Sequence, residues 1–352
     1  MAQPGRMRMH RTKKFEAGFS LIETMIGMVV LLGVGSIVMY GTLRMMNIQG
    51  TISNRTEMHT SVRSATELLQ QEIGQAGRIA PPLNPAGTAP ETMTLVTQVI
   101  VDPLSTTGSV TLPVTISPST AVAGLFNGEW ITVDGGVDAA GAPKQESVAI
   151  TCGNPCANPV TATFTLNHAI NVPVSVQGAF AYGVVPPSVA NGSTSTVLKL
   201  FGDVNGDGNM VYLEYTCQQG TQAAPGFLYR NQVAWNALVK PAADNTMILL
   251  SNVLANPADQ NGNAFPCFQY QTKRVGACPG VFPSCVDFVT NVEVTLTEQT
   301  ELLDPTTKLY QTETKALLNV SPRNVFNAWE LDSGNLTNRV QPTPPSVTLL
   351  LP

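Results

Sequence analysis

The stretch from Phe19 to Tyr40 runs for 22 residues with one charged side chain, Glu23. As a helix rising about 1.5 Å per residue it spans roughly 33 Å, the thickness of a bilayer core. Upstream, Arg6, Arg8, Arg11, Lys13 and Lys14 stand against a single acid, Glu16, and Arg44 closes the run on its far side. Basic flanks stay in the cytoplasm, so the expected topology is a single pass with everything after residue 45 beyond the membrane. A cleaved secretory signal has an apolar stretch of about 7 to 15 residues and a small-residue cleavage site after it. This run is longer and has no such site. A plain signal anchor fits better but leaves Glu23 unexplained, because an acid inside a membrane helix costs about 2.5 to 3.5 kcal/mol on insertion scales.

Gly18-Phe19-Ser20-Leu21-Ile22-Glu23, with Lys13 and Lys14 upstream, resembles the type IV prepilin cleavage signature. The resemblance implies that a prepilin peptidase cuts after Gly18 on the cytoplasmic side and methylates the new amine of Phe19. Glu23 then becomes the fifth residue of the mature chain, 23 less the 18 removed. It also implies a partner for the carboxylate, the N-terminal amine of Phe19 in an adjacent subunit, which neutralises the charge as the helices dock. The implied partners are other pilin or pseudopilin subunits, an assembly ATPase and platform protein, and the bacterial inner membrane. The implied location is that membrane before assembly and a periplasmic or extracellular filament after it. One alternative is a membrane-anchored, calcium-stabilised adhesin that never polymerises.

Past the membrane, Ile48, Ile52, Met58, Val62, Ala65, Leu69, Ile73 and Ala76 recur mostly every three or four residues, which predicts that the helix continues until Pro81-Pro82. Arg55, Glu57, Arg63, Glu67 and Glu72 are assigned to its polar faces, and His59 to solvent. The segment Ser61 to Gly77 resembles the end of this helix in PilW-like minor pilins and in J-type pseudopilins of type II secretion systems.

After residue 80 the chain is rich in Gly, Pro, Ser, Thr, Asn and Val, with short β-branched runs between turn clusters, as in an all-β exported domain. Strands are expected at 93–101, 130–133, 147–151, 161–166, 196–201, 210–217, 247–254, 289–297 and 309–320. The stretch 121–185 reads as an inserted β-module with Trp130 and Phe164 as core anchors and Gly135-Gly136 as a turn. The runs at 211–215, 226–230, 289–297 and 316–320, with Arg323-Asn324, resemble the terminal sheet of PilW-like and J-type pilins. The expected fold class is therefore α+β: leader 1–18, pilin helix 19–80 with 19–41 in the membrane, β-rich head 81–325 and polar Pro-rich tail 326–352.

Charged residues make up 12 % of the chain and the net charge is −5, which argues against nucleic acid as a partner and against a disordered acidic tail. The six cysteines, Cys152, Cys156, Cys217, Cys267, Cys278 and Cys285, all lie in the part expected to be exported, where disulfides form. Fifteen pairings are possible. Local pairs Cys152–Cys156 and Cys278–Cys285 would leave Cys217 with Cys267; zinc is the rival reading, though only His168 accompanies them in the β region. No residue is assigned a catalytic role, since the chain carries only His10, His59 and His168 and no nucleophile, zincin or Walker motif. His168, at an expected strand end, reads as a turn or packing residue.

Asp203 to Glu214 fits D-x-[DN]-x-[DN]-G-x5-E, the spacing of a calcium loop. Asp203, Asn205 and Asp207 are the first candidate ligands, Asn209 offers its carbonyl and Glu214 closes the site. The flanks read as strands rather than helices, and the alternative is an Asx-rich turn without metal. The function expected is that of a minor pilin whose large head sits at a filament tip, primes assembly and presents an adhesive surface. A type II secretion pseudopilin is the same class of object.

Overall fold

The computed structural model describes residues 18, 20–84, 86–102, 107–138, 140–276 and 285–352. It is α+β, one long helix followed by a β-rich domain. Helix α1 (Leu21–Gln75) is 55 residues long, about 82 Å at helical rise. Its two halves have opposite environments. Leu21, Leu31, Ile37 and Tyr40 are exposed, whereas Met58, Val62, Ala65, Leu69 and Ile73 are buried; burying each of the larger ones contributes about 1.5 to 3 kcal/mol. The helix stops short of Pro81-Pro82. Gly77 adopts φ +82° and donates its N–H to the Phe201 carbonyl at 2.8 Å, so the chain turns into the sheet there. A Cβ on Gly183 would come within 2.2 Å of the Gly77 Cα, which leaves room for glycine only.

A smaller sheet follows the helix. Its elements are β1 (Met93–Leu95), β2 (Val110–Val114), β3 (Ile116–Ser117), the short α2 (Ser119–Val122), β4 (Trp130–Val133), β5 (Glu146–Ala149), β6 (Val160–Phe164) and β7 (Val172–Val176). Five of them form an antiparallel sheet in the order β3-β1-β7-β4-β5, and β2 pairs with β6 in a separate ribbon. Met93, Leu95, Ile116, Ile131, Val148 and Phe164 fill its core; Trp130 is only half-buried. The Gly135-Gly136 turn joins β4 to β5, with both amides donated to the Asp134 carboxylate at 2.7 and 3.0 Å.

After β8 (Ala179–Phe180) comes the larger sheet: β9 (Val197–Gly202), β10 (Val211–Gln218), β11 (Gly226–Ala234), β12 (Ile248–Leu254), β13 (Phe268–Gly276), β14 (Cys285–Gln299) and β15 (Thr312–Val320). Its order is β13-β14-β12-β11-β10-β9, with β15 also paired to β14. Alternation sorts its side chains. Leu198, Leu200, Leu213, Tyr215, Leu228, Val292 and Val294 meet Val62, Leu69 and Ile73 of α1 in one core. On the other face Phe201, Tyr212 and Val233 join Phe126, Phe180, Val347 and Leu350 in another, with the Phe180 and Phe201 rings 4.5 Å apart.

Residues 326–352 are not a tail. Helix α3 (Arg323–Ser333) buries Val325 and Ala328, β16 (Val340–Gln341) pairs in parallel with β8, and α4 (Pro345–Leu350) buries Val347 and Leu350. Proline misleads here because Pro345 occupies the opening turn of α4, where its missing N–H costs no hydrogen bond. Buried Gln341 bonds both backbone groups of Trp130 at 2.9 Å and so ties the smaller sheet to the C-terminal strand.

The unequal halves of α1 give a direct test. Leu69→Ala should lower the unfolding free energy of the detergent-solubilised chain by about 2 to 5 kcal/mol in denaturant titration. Leu31→Ala, on the exposed half, should change it by less than about 0.5 kcal/mol.

Candidate functional site

The amino-terminal end of α1 carries the residues singled out for processing and assembly. Gly18 is exposed, and a Cβ built there meets nothing within 4 Å; packing in this chain therefore sets no requirement for glycine at that position. Phe19 lies outside the described residues. Glu23 sits in the first turn of α1, where a negative charge suits the helix dipole, and its side chain is exposed. From Leu21 the helix is long and apolar enough to cross a membrane, with a mean hydropathy of 2.2 over its most apolar window and none of that window buried.

The other half of α1 is attached to the larger sheet at several levels. At the top, Glu72 is buried although its charge placed it on a polar face. Position 72 is an i,i+3 neighbour of buried Leu69 on the helix surface, so it is carried under the sheet with it. There its carboxylate accepts from Tyr215 Oη and from Arg230 Nη2, and from Arg230 Nε at 3.1 Å. Tyr215 and Arg230 are directly opposite each other on β10 and β11, which sets both side chains on the face toward α1. Burial, then the Glu72 charge, pushes the Tyr215 phenol well above its ordinary range.

Lower down, Ser61 donates its hydroxyl to Glu298, 2.7 Å from each carboxylate oxygen. Burial, with help from the Glu313 and Glu57 charges, pushes the Glu298 carboxyl up to about 7, against the Ser61 bond that lowers it. His59 is exposed, as expected, and is also paired with Glu313. Arg55 donates to Gln311 and Asn54 to the Leu302 carbonyl at 3.4 Å. A Cβ on Gly50 would sit 3.1 Å from the Pro305 ring.

Two disulfides have both cysteines among the described residues. Cys152 is bonded to Cys156, and Cys217 on β10 to Cys267 just before β13, with Cα atoms 6.4 Å apart. Cys285 is disulfide-bonded, while Cys278 lies outside the described residues. His168 is buried, its ring 5.6 Å from that of Phe164 and its Nε2 3.0 Å from Glu146 Oε2.

Of the calcium pattern, Asp203, Asp207 and Glu214 each bond other groups of the chain. Asp203 Oδ1 accepts from the amides of Asp207 and Gly208 at 3.0 and 3.2 Å, and its Oδ2 is 3.4 Å from Arg78 Nε. Asp207 accepts from the Asn209 amide at 2.9 Å, and Asn205 is exposed. Glu214 lies well along β10 and accepts from Tyr212 Oη at 2.9 Å and Lys240 Nζ at 2.7 Å. Among the described residues no group of three or more His, Cys, Asp or Glu side chains is arranged to hold a metal. The loop is an Asx turn whose Asp203 carboxylate lies beside Arg78.

Comparison with protein-family models, with curated proteins and with solved structures finds no match for this chain.

Two outcomes follow from this chemistry. A carboxyl with a raised folded pKa binds its proton more tightly in the native state, so its stabilising effect is complete below the unfolded value near 4.5 and fades as pH rises through about 7. Glu298→Gln should therefore raise the melting midpoint at pH 8 and leave it nearly unchanged at pH 5; an equal shift at both would separate Glu298 from the pH dependence. If the Asp203 loop is a turn without metal, melting in calcium and in chelator will coincide and Asp203→Ala will lower the midpoint equally in both. A calcium-dependent rise of the midpoint, lost in Asp203→Ala, would restore the metal.

Proposed function

We propose that this chain is a prepilin-type subunit, cleaved between Gly18 and Phe19 and assembled into a type IV pilus or a related filament through the exposed half of α1. The observation that carries the reading is the coincidence of three features on one helix. The Gly18 to Glu23 signature stands where α1 begins. Some 30 residues after it expose nearly all their large apolar side chains, from Leu21 to Ile52. The remainder is locked to a β-rich head. A lone anchor has use for the apolar run and gains nothing from Glu23, whose carboxylate is unfavourable in a bilayer. In a helical bundle the same carboxylate meets the Phe19 amine of the next subunit, so the charge that penalises the isolated helix sets the register of the packed one.

The head fits a minor, large-headed subunit. The stretch 121–185 expected as an inserted module supplies only part of the smaller sheet, which also takes in β1 and β3 and so runs from residue 93 to 176; we take this whole sheet as the inserted module. It lies between α1 and the strands that resemble the terminal sheet of PilW-like pilins and J-type pseudopilins. No catalytic step and no metal is part of this reading.

Amino-terminal sequencing of the protein from its native membrane should begin at Phe19; residues 1–18 still attached would sink the assignment. Gly18→Ala, free of any steric effect within the chain, should block that cleavage. Glu23→Leu should be cleaved and inserted normally yet fail to enter or prime filaments, and normal filaments with this variant as sole copy would remove the pairing argument.

A further inference from the structure

Where α1 gives way to the sheets, the segment Ala80 to Leu83 passes the turn at Gly208 and the ends of β10 and β11, and a cleft of about 490 Å³ lies between them. That size is within the roughly 300 to 1,000 Å³ range of small-ligand sites. Pro82 and Leu83 form one wall, Asn209 another, and Gln232, Trp235 and Asn236 the third; among the described residues no charged side chain lines it. The walls are held in place. The Asp203 amide donates to the Arg78 carbonyl at 2.8 Å, beside the Arg78–Asp203 ion pair, which fixes the turn against the segment that leads to Pro82. A Cβ on Gly124 would approach Pro82 to 2.9 Å, and one on Gly208 would approach Leu83 to 3.0 Å. Trp235 is half-buried, its ring 6.1 Å from Phe126 in an edge contact and its backbone N–H on the Met210 carbonyl at 3.3 Å. The Asn209, Gln232 and Asn236 side chains are exposed around it, and Gln232 has its oxygen engaged by Arg230 at 2.6 Å.

We propose that this cleft binds a neutral saccharide. A sugar ring offers a C–H face that an indole covers well, ringed by hydroxyls that each donate and accept, as the primary amides do. A charged ligand would meet no counter-charge on desolvation. A proline-rich peptide presents acceptors almost alone and leaves the amide oxygens without donors, which is costly wherever they become buried. The site belongs to the head, so it holds for a polymerised and for an anchored chain alike. It also gives the Asp203 to Asn209 turn a role without metal, as a wall.

The test is calorimetric titration of the full chain in an amine-oxide detergent, which has no sugar headgroup, with maltotetraose, cellotetraose, chitotetraose, tetragalacturonate and decaproline. Saturable binding of at least one neutral tetrasaccharide is expected, with tetragalacturonate at least about tenfold weaker, a difference of about 1.4 kcal/mol. Trp235→Ala should weaken binding at least tenfold. Asn236→Ala, at an exposed position that leaves the fold intact, should weaken it severalfold. The inference is overturned if no neutral saccharide binds saturably, if tetragalacturonate or decaproline binds as tightly, or if affinity is unchanged in the Asn236→Ala protein.

Discussion

The carboxylate of Glu72, buried under the larger sheet and held by Arg230 and Tyr215, is the constraint on which the rest of the head's geometry depends. Removing one member of such a pair typically costs about 3 to 5 kcal/mol, because the other charge stays buried without compensation. That asymmetry matters more than the pair's net stabilisation. Leu69 and Ile73 would bury comparably well with the helix rotated or slid by a turn, but Glu72 is tolerated in one position only. Apolar packing thus supplies the affinity of α1 for the sheet, and the ion pair supplies its register. A second polar contact lies at Ser61 and Glu298, where the hydroxyl bonds a carboxyl that burial still pushes up to about 7.

How much of this was legible in the sequence varies with range. The long helix and its buried stripe follow from the spacing of Met58, Val62, Leu69 and Ile73, since helical periodicity is a local property. Strands such as 130–133 and 248–254 follow from β-branched runs between turn residues. The pairing of Tyr215 with Arg230 joins positions 15 residues apart in number, and their meeting with Glu72 spans most of the domain, so no local pattern announces it. A charged residue flanked by stripe residues at 69 and 73 was the available signal. Residues after 326 misled for the opposite reason: four apolar side chains, Val340, Val347, Leu350 and Leu351, are enough to anchor a segment whose average composition is polar. Strands β2, β7 and β13 were missed because Pro113, Pro173 and the polar run Gln269 to Arg274 lower strand propensity at positions where cross-strand partners decide the outcome.

The Asp203 to Glu214 pattern shows what spacing leaves to the backbone. A D-x-N-x-D-G sequence provides oxygens at regular intervals, and the backbone decides which way they face. Here Asp203 turns its carboxylate inward onto its own loop amides and Arg78, while strand β10 carries Glu214 off to Lys240 and Tyr212. Asx turns and metal loops draw on the same residues, and only three-dimensional convergence separates them.

The attachments between α1 and the head are spread along the helix from the Gly50–Pro305 contact to the Glu72 ion pair, about 33 Å of axial length for 22 residues. A pull applied along the helix axis therefore loads every level at once, in shear, rather than peeling one contact after another. Such a joint yields only when several bonds break together, and the long unbroken helix acts as a tension member whose grip on its head is stiffest along the direction in which it is drawn.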